Sequence, residues 1–317
     1  MKRVLIVSPA FDEAEILPEF IAGVEKLRAS MSAQEVELKL LVVNDGSADG
    51  TLDVLRKGAS THRDWLSYIS FTANFGHQAA LIAGMTRCGT WPDAIITMDC
   101  DLEHPLEAIP EFVRLWREER YIVISSIRRE DTRLAPAKRF FSKLFYVLTA
   151  RLTGVKIVPG QADFRLWDAR IVRSVQEYLP HIGSLRVFAA WLPGKKQVIH
   201  YSQNVQSHRT SRFTFIKNMD LAMISIIRFS NLPLQAIGIL GGIGVAFSVV
   251  YACFSIYRML SGHNIPGWTS TVLTVIFMSC LQLISLGILA SYFRRLVFSK
   301  DLPAFVIDEM SEREQDG

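Results

Sequence analysis

Val42-Val43-Asn44-Asp45-Gly46-Ser47-Ala48-Asp49-Gly50-Thr51 carries an apolar run into a polar, glycine-bearing turn and straight on into a helical pattern. A buried strand that ends this way is half of a strand-helix-strand crossover. Ser47, Asp49 or Thr51 can cap the helix, while Asp45 at the strand end can accept hydrogen bonds from a nucleobase or ribose; the two readings are compatible. Outward from this turn the same alternation repeats. β-Branched runs at 4–8, 38–43, 68–71, 94–98 and 121–125 predict buried strands, and amphipathic stretches at 13–30, 50–59, 77–87 and 106–119 predict crossover helices. The expected fold is therefore α/β, a mostly parallel sheet sandwiched by helices. Ligands of such sheets bind beyond the carboxyl ends of the strands, which puts 9–13, 44–51, 74–78 and 99–105 along one edge.

The strand at 94–98 runs into Asp99-Cys100-Asp101-Leu102-Glu103-His104-Pro105. Carboxylates projecting from a strand end suit a hard divalent cation, since Mg²⁺ or Mn²⁺ takes one or two carboxylates plus phosphate oxygens and keeps waters elsewhere. The pattern is common in solvated loops and is weak alone. His104 either extends the coordination or is an ordinary loop histidine before Pro105. His77, at a helix start, either contacts a ligand or is structural, and it is assigned no role.

The 317 residues are 50% hydrophobic and 21% charged, with a mean hydropathy of +0.22, and the apolar content is concentrated after residue 230. A net charge of +4, with no RNA-reading or zinc-finger pattern, gives no support to nucleic-acid binding. Cys88, Cys100, Cys253 and Cys280 lack CxxC spacing, so neither a zinc site nor a disulfide framework is expected, and a reducing compartment fits. Lys2 and Arg3 precede an apolar run too short for a secretory signal.

Residues 229–257 and 259–293 contain no Asp, Glu, Lys or Arg, and each holds the ~20 apolar residues that a membrane-spanning helix needs. Two spans, about 232–257 and 269–293, are expected, joined by a turn at 261–267 with Trp268 at the interface. Arg209, Arg212, Lys217 and Arg228 precede the pair, Arg294, Arg295 and Lys300 follow it, and the connecting loop offers only Arg258, so both ends are expected on the cytoplasmic side of the inner membrane. Basic amphipathic stripes at 138–152 and 213–227 suit either the bilayer surface or the soluble core. The expected division is a cytoplasmic α/β domain at 1–208, which carries the candidate site, a juxtamembrane amphipathic helix at 209–230, a two-helix transmembrane hairpin at 231–295 and a cytoplasmic tail at 296–317.

In order and spacing, Pro9-Ala10-Phe11-Asp12-Glu13, Asn44-Asp45-Gly46-Ser47, Asn74-Phe75-Gly76-His77 and Asp99-Cys100-Asp101 resemble family 2 glycosyltransferases with the GT-A (Rossmann-like) fold. Gly160-Gln161-Ala162-Asp163-Phe164-Arg165-Leu166 is similar to a segment of the polyprenyl-phosphate branch, which includes dolichol-phosphate mannose synthases and bacterial undecaprenyl-phosphate enzymes. The resemblance extends to about Arg295. It implies that Pro9, Phe11, Glu13, Asp45 and Asp99 hold the nucleotide, and that Asp99, Asp101 and Glu103 hold Mg²⁺ or Mn²⁺. It implies further that Asp163 and Asp101 are catalytic and that Arg128, Arg129, Arg165, Ser211 and Arg212 bind an acceptor phosphate. Asp12 stands where the family usually has asparagine, Glu103 where it often has glutamine, and Ala162 where it usually has glycine. Gln206 and Arg209 stand for its upstream arginine and glycine.

The implied reaction passes a sugar from a UDP- or GDP-linked donor to a polyprenyl phosphate, first of all undecaprenyl phosphate, by in-line displacement with inversion. A phosphate monoester with a second pKa of ~6 is largely dianionic at neutral pH, so Asp163 can position rather than abstract a proton. The bilayer, a second copy of the chain, and a flippase or downstream glycosyltransferase are the expected partners. The alternatives are a polysaccharide or diacylglycerol acceptor, or a non-catalytic scaffold for a flippase.

Overall fold

A computed structural model describes residues 1–128, 161–182, 184–201 and 304–311, with scattered positions between 250 and 293. The chain forms two compact units, one comprising 1–146, 155–210 and 303–317, the other 147–154 and 211–302. The first is built on β1 (Lys2–Ala10), α1 (Leu17–Ser32), β2 (Val36–Asn44), α2 (Thr51–Thr61), β3 (Leu66–Phe71), α3 (His77–Thr86), β4 (Ala94–Thr97), α4 (Ile109–Glu119) and β5 (Val123–Arg128). After these come β6 (Gln161–Asp168), α5 (Ala169–Ser174), α6 (Leu185–Trp191), β7 (Lys196–Tyr201) and β8 (Ile307–Met310).

The eight strands form one sheet in the order β7-β5-β6-β4-β1-β2-β3-β8. β1 pairs in parallel with β2 and β4, β2 with β3, and β5 with β7. β6 is antiparallel to both β4 and β5, and β8 is antiparallel to β3. The mostly parallel α/β sheet expected from the alternation is what forms.

Alternation along β1 and β2 explains the two cores. Val4, Ile6, Leu38, Leu40 and Val42 face a layer containing Leu17, Phe20, Val24, Leu55, Phe112 and Trp116 from α1, α2 and α4. Leu5, Val7, Leu41 and Val43 face the other way, onto Ala80, Leu81 and Ala83 of α3 and Phe188 of α6. A sheet buried on both faces needs apolar residues at consecutive positions, which is why its strands read as unbroken hydrophobic runs.

Two differences from the sequence reading stand out. α1 starts at Leu17 rather than 13, with Pro18 in its first turn, because the main chain of Glu13 and Ala14 donates to side chains of the β2–α2 turn. Residues 307–310, expected within a tail, are a sheet strand.

In the second unit, among the described residues, no helix is long and apolar enough to cross a membrane. The spans expected at 232–257 and 269–293 lie largely outside the described residues, as do the stripes at 138–152 and 213–227. At the described positions Val250, Phe254, Tyr257, Val275, Phe277, Leu286 and Phe293 are helical, with exposed side chains.

Candidate functional site

The turns that close β1 and β2 are stitched together. The Asp12 N–H donates to Ser47 Oγ (3.0 Å), the Ala48 N–H to Asp12 Oδ1 (3.0 Å) and the Glu13 N–H to Thr51 Oγ1 (3.0 Å). Asp12 adopts φ 54°, a left-handed conformation that short polar side chains tolerate. Buried Asn44 braces the base of the second turn, donating to Ser70 Oγ (2.9 Å) and accepting from Ser47.

Gly46 has φ +66°, and a Cβ there would lie 2.3 Å from the carbonyl carbon of Ala73, so the turn after β2 and the loop after β3 touch backbone to backbone. Asp45, only 2% exposed, spans the same gap by accepting the N–H of Phe75 (2.7 Å) and of Gly76 (2.9 Å). Burial raises its carboxyl pKa, although the two amides oppose the rise. A carboxylate offers about four lone-pair sites, so capacity remains for a ligand donor. Phe11 and Phe75 border this region as exposed aromatics.

At the end of β4, Asp99 lies between two imidazoles: His77 Nε2 is 2.5 Å from Oδ1 and His104 Nε2 is 3.2 Å from Oδ2. His104 Nδ1 is in turn 2.9 Å from the Tyr201 hydroxyl at the end of β7. Burial pushes the Asp99 carboxyl up, but the hydrogen bonds from His104 and His77 outweigh it and hold the group well below the usual range. Burial also raises the pKa of Asp101, and the charges of Asp99 and Glu103 add to the rise, although a backbone hydrogen bond from Glu103 opposes it.

The structure does not gather Asp99, Asp101 and Glu103 into one three-carboxylate cluster; among the described residues no group of three or more such donors is close enough to hold a metal. Leu102 has φ 59° and the Glu103 N–H turns back onto Asp101 Oδ1 (3.0 Å), so the chain reverses between the two acids. What remains is a mutually repelling carboxylate pair at a strand end. That donor set fits a hard cation whose other ligands are substrate oxygens and water.

β6 delivers the third aspartate. Because it runs antiparallel to β4, its first residues lie at the edge where the parallel strands end. Thr97 Oγ1 donates to the Asp163 carbonyl (2.7 Å), fixing the backbone there. The buried Asp163 carboxylate accepts from Gln78 Nε2 (3.0 Å), Arg186 Nε (3.2 Å) and Arg186 Nη2 (2.9 Å), with His77 Nδ1 at 4.0 Å and Arg165 Nη1 at 3.7 Å. Burial raises its pKa, yet Arg186, Arg165 and His77 together leave it below the ordinary value. Gln78 also accepts the Leu185 N–H (2.9 Å), tying α3 to the first turn of α6.

Asp45, Asp99, Asp101 and Asp163 thus share one sheet edge with Pro9, Phe11 and Glu13. Arg165, expected to bind an acceptor phosphate, has a wholly buried side chain with Nε and Nη1 lacking hydrogen-bond partners, and burial pushes its pKa down to about 10. Arg128 ends β5, while Arg129, Ser211 and Arg212 lie outside the described residues. Sequence reasoning missed Gln78, Arg186 and Tyr201, and left His77 and His104 without a settled role. The only available signal was that Gln78 follows His77 at a predicted strand-end loop.

The glycosyl transferase family 2 profile matches residues 5–175, more than half of the chain and every element that carries an aspartate of this site. The bactoprenol glucosyl transferase of Shigella phage SfV is 28% identical over 98% of this chain and 100% of its own. An uncharacterized glycosyltransferase of Synechocystis sp. is 29% identical over 96% and 94%. Among solved structures, glucosyl-3-phosphoglycerate synthase of Mycobacterium tuberculosis, in complex with Mg²⁺ and UDP, is similar at a TM-score of 0.48 and 16% identity, covering 71% of this chain and 77% of its own. With a family profile spanning β1 through α5 and the family's motifs assembled at a single sheet edge, the chain belongs to glycosyl transferase family 2.

Proposed function

We propose that this chain is an inverting, metal-dependent glycosyltransferase that moves a sugar from a UDP- or GDP-linked donor to a polyprenyl phosphate, undecaprenyl phosphate first, at the cytoplasmic face of the inner membrane. The observation that carries the reading is the meeting of the donor-side aspartates Asp45, Asp99 and Asp101 with the acceptor-side Asp163 at one sheet edge. Full-length similarity to bactoprenol glucosyl transferases supports a polyprenyl acceptor. Two long uncharged stretches, and the exposed apolar side chains at their described positions, support a bilayer anchor, and the arginines and lysines on both outer flanks favour cytoplasmic termini.

Asp99 and Asp101 would hold Mg²⁺ or Mn²⁺, which when bound supplies Lewis-acid stabilisation of the leaving diphosphate. An acceptor phosphate oxygen forms the new bond to the anomeric carbon as the bond from that carbon to the diphosphate breaks, and the electron pair leaves with the diphosphate. The dianionic acceptor needs no base. Asp163, already ionised and held by Arg186 and Gln78, orients the reacting groups.

The test is nucleoside diphosphate release by detergent-purified protein with Mg²⁺ or Mn²⁺, each nucleotide sugar being supplied with and without undecaprenyl phosphate. Acceptor-dependent release that Asp101→Ala abolishes is the expected result. Lipid-independent release points to another acceptor or to hydrolysis of the donor by water, and no release from folded protein points to a scaffold.

A further inference from the structure

Residues 305–311 return to the catalytic unit beside β3 and grip it along its length. The Thr72 N–H donates to the Val306 carbonyl (3.1 Å), β8 pairs with Ile69 to Phe71, and the Ser311 N–H donates to the Tyr68 carbonyl (3.0 Å). Arg56 of α2 donates to both Glu309 oxygens (3.0 and 2.5 Å), and the Tyr68 hydroxyl also bonds Glu309. On the side nearer the site, the Phe305 ring stacks on Phe71 (5.2 Å, 11°), and Phe71 meets Phe75 edge-on (5.6 Å, 87°).

Phe75 is the residue whose N–H makes the shortest contact to Asp45. The loop between β3 and α3 is therefore held from two sides, by the Gly46 turn against Ala73 and by the C-terminal segment through Phe71. We propose that the C-terminal segment supports the nucleotide subsite from behind: Phe305, acting through Phe71, is a positioning residue that sets Phe75 and the amides that orient Asp45. The inference rests on the reading of Asp45 as a nucleotide ligand.

The experiment is calorimetric titration of UDP and GDP, with Mg²⁺, into the full-length protein in detergent, with thermal unfolding of every variant alongside. Phe305→Ala is expected to weaken binding about three- to tenfold, the worth of one aromatic pair, and Phe305→Tyr to restore it. Met31→Ala, in the core at the end of α1, is expected to lower the unfolding temperature with unchanged affinity. Phe305→Leu, which keeps an apolar side chain but no ring to stack on Phe71, repeats the test if Phe305→Ala folds poorly. Wild-type affinity in the tail variants, or equal weakening in Met31→Ala, overturns the inference and leaves the proposed activity standing. A wild-type protein that binds neither nucleotide overturns the reading of Asp45, and the inference with it.

Discussion

Asp163 is buried beneath the Arg186 fork and the Gln78 amide, and its charge is settled before any substrate arrives. Since its pKa lies below the ordinary carboxylate value, it stays ionised across the neutral range. Asp163→Asn should therefore lower turnover about tenfold while leaving the pH–rate profile parallel to that of wild type; a loss of roughly 100-fold or more at neutral pH that shrinks as acid protonates the wild-type carboxylate would mean a general base. Arg186→Met should reproduce much of the defect and Arg186→Lys recover part of it, measured as kcat with little change in the donor KM. Gly46→Ala tests the backbone contact beside Asp45. The left-handed φ and the Ala73 carbonyl leave no room for a methyl group, so thermal unfolding should report a loss of about 2 kcal/mol or more.

The edge strand β8 is four residues long, and beside its backbone ladder to β3 it is anchored by one charged side chain, Glu309. Hydrogen bonds from Arg56 and then Tyr68 bring the Glu309 pKa down to about 2 from 4.5, so the pair's contribution is complete above pH 4.5 and is lost as pH falls towards 2. The difference in unfolding temperature between wild type and Glu309→Gln should accordingly be widest near neutrality and shrink in acid; a constant difference would remove ionisation as the cause. This strand was illegible in the sequence because Ile307-Asp308-Glu309-Met310 is short and half charged. β6 was missed for a different reason: it buries Asp163, Arg165 and Asp168, charges that oppose the hydrophobic pattern, and the partners of Asp163 and Asp168, Arg186 and Trp116, are distant in sequence. β1 to β4, by contrast, are covered on both faces, so their apolar runs announce themselves. The strand-end aspartates were readable because a motif on a strand-to-helix turn fixes its own location. Arg186 sits on a seven-residue helix with no such marker.

At the scale of the whole molecule, a compact catalytic unit shares the chain with a second unit in which many of the described apolar side chains are exposed. The full-length protein should sediment with membranes and stay there through a high-salt wash; release by salt would mean surface attachment through basic residues instead. β8 also has a consequence for the order of synthesis. The partner for the open edge of β3 is encoded after both long uncharged stretches, so a ribosome that has finished the other seven strands still holds an incomplete sheet. During that interval the exposed edge is a template for mispairing. Chains cut short before residue 307 should be recognised as unfinished by the quality-control proteases of the cell.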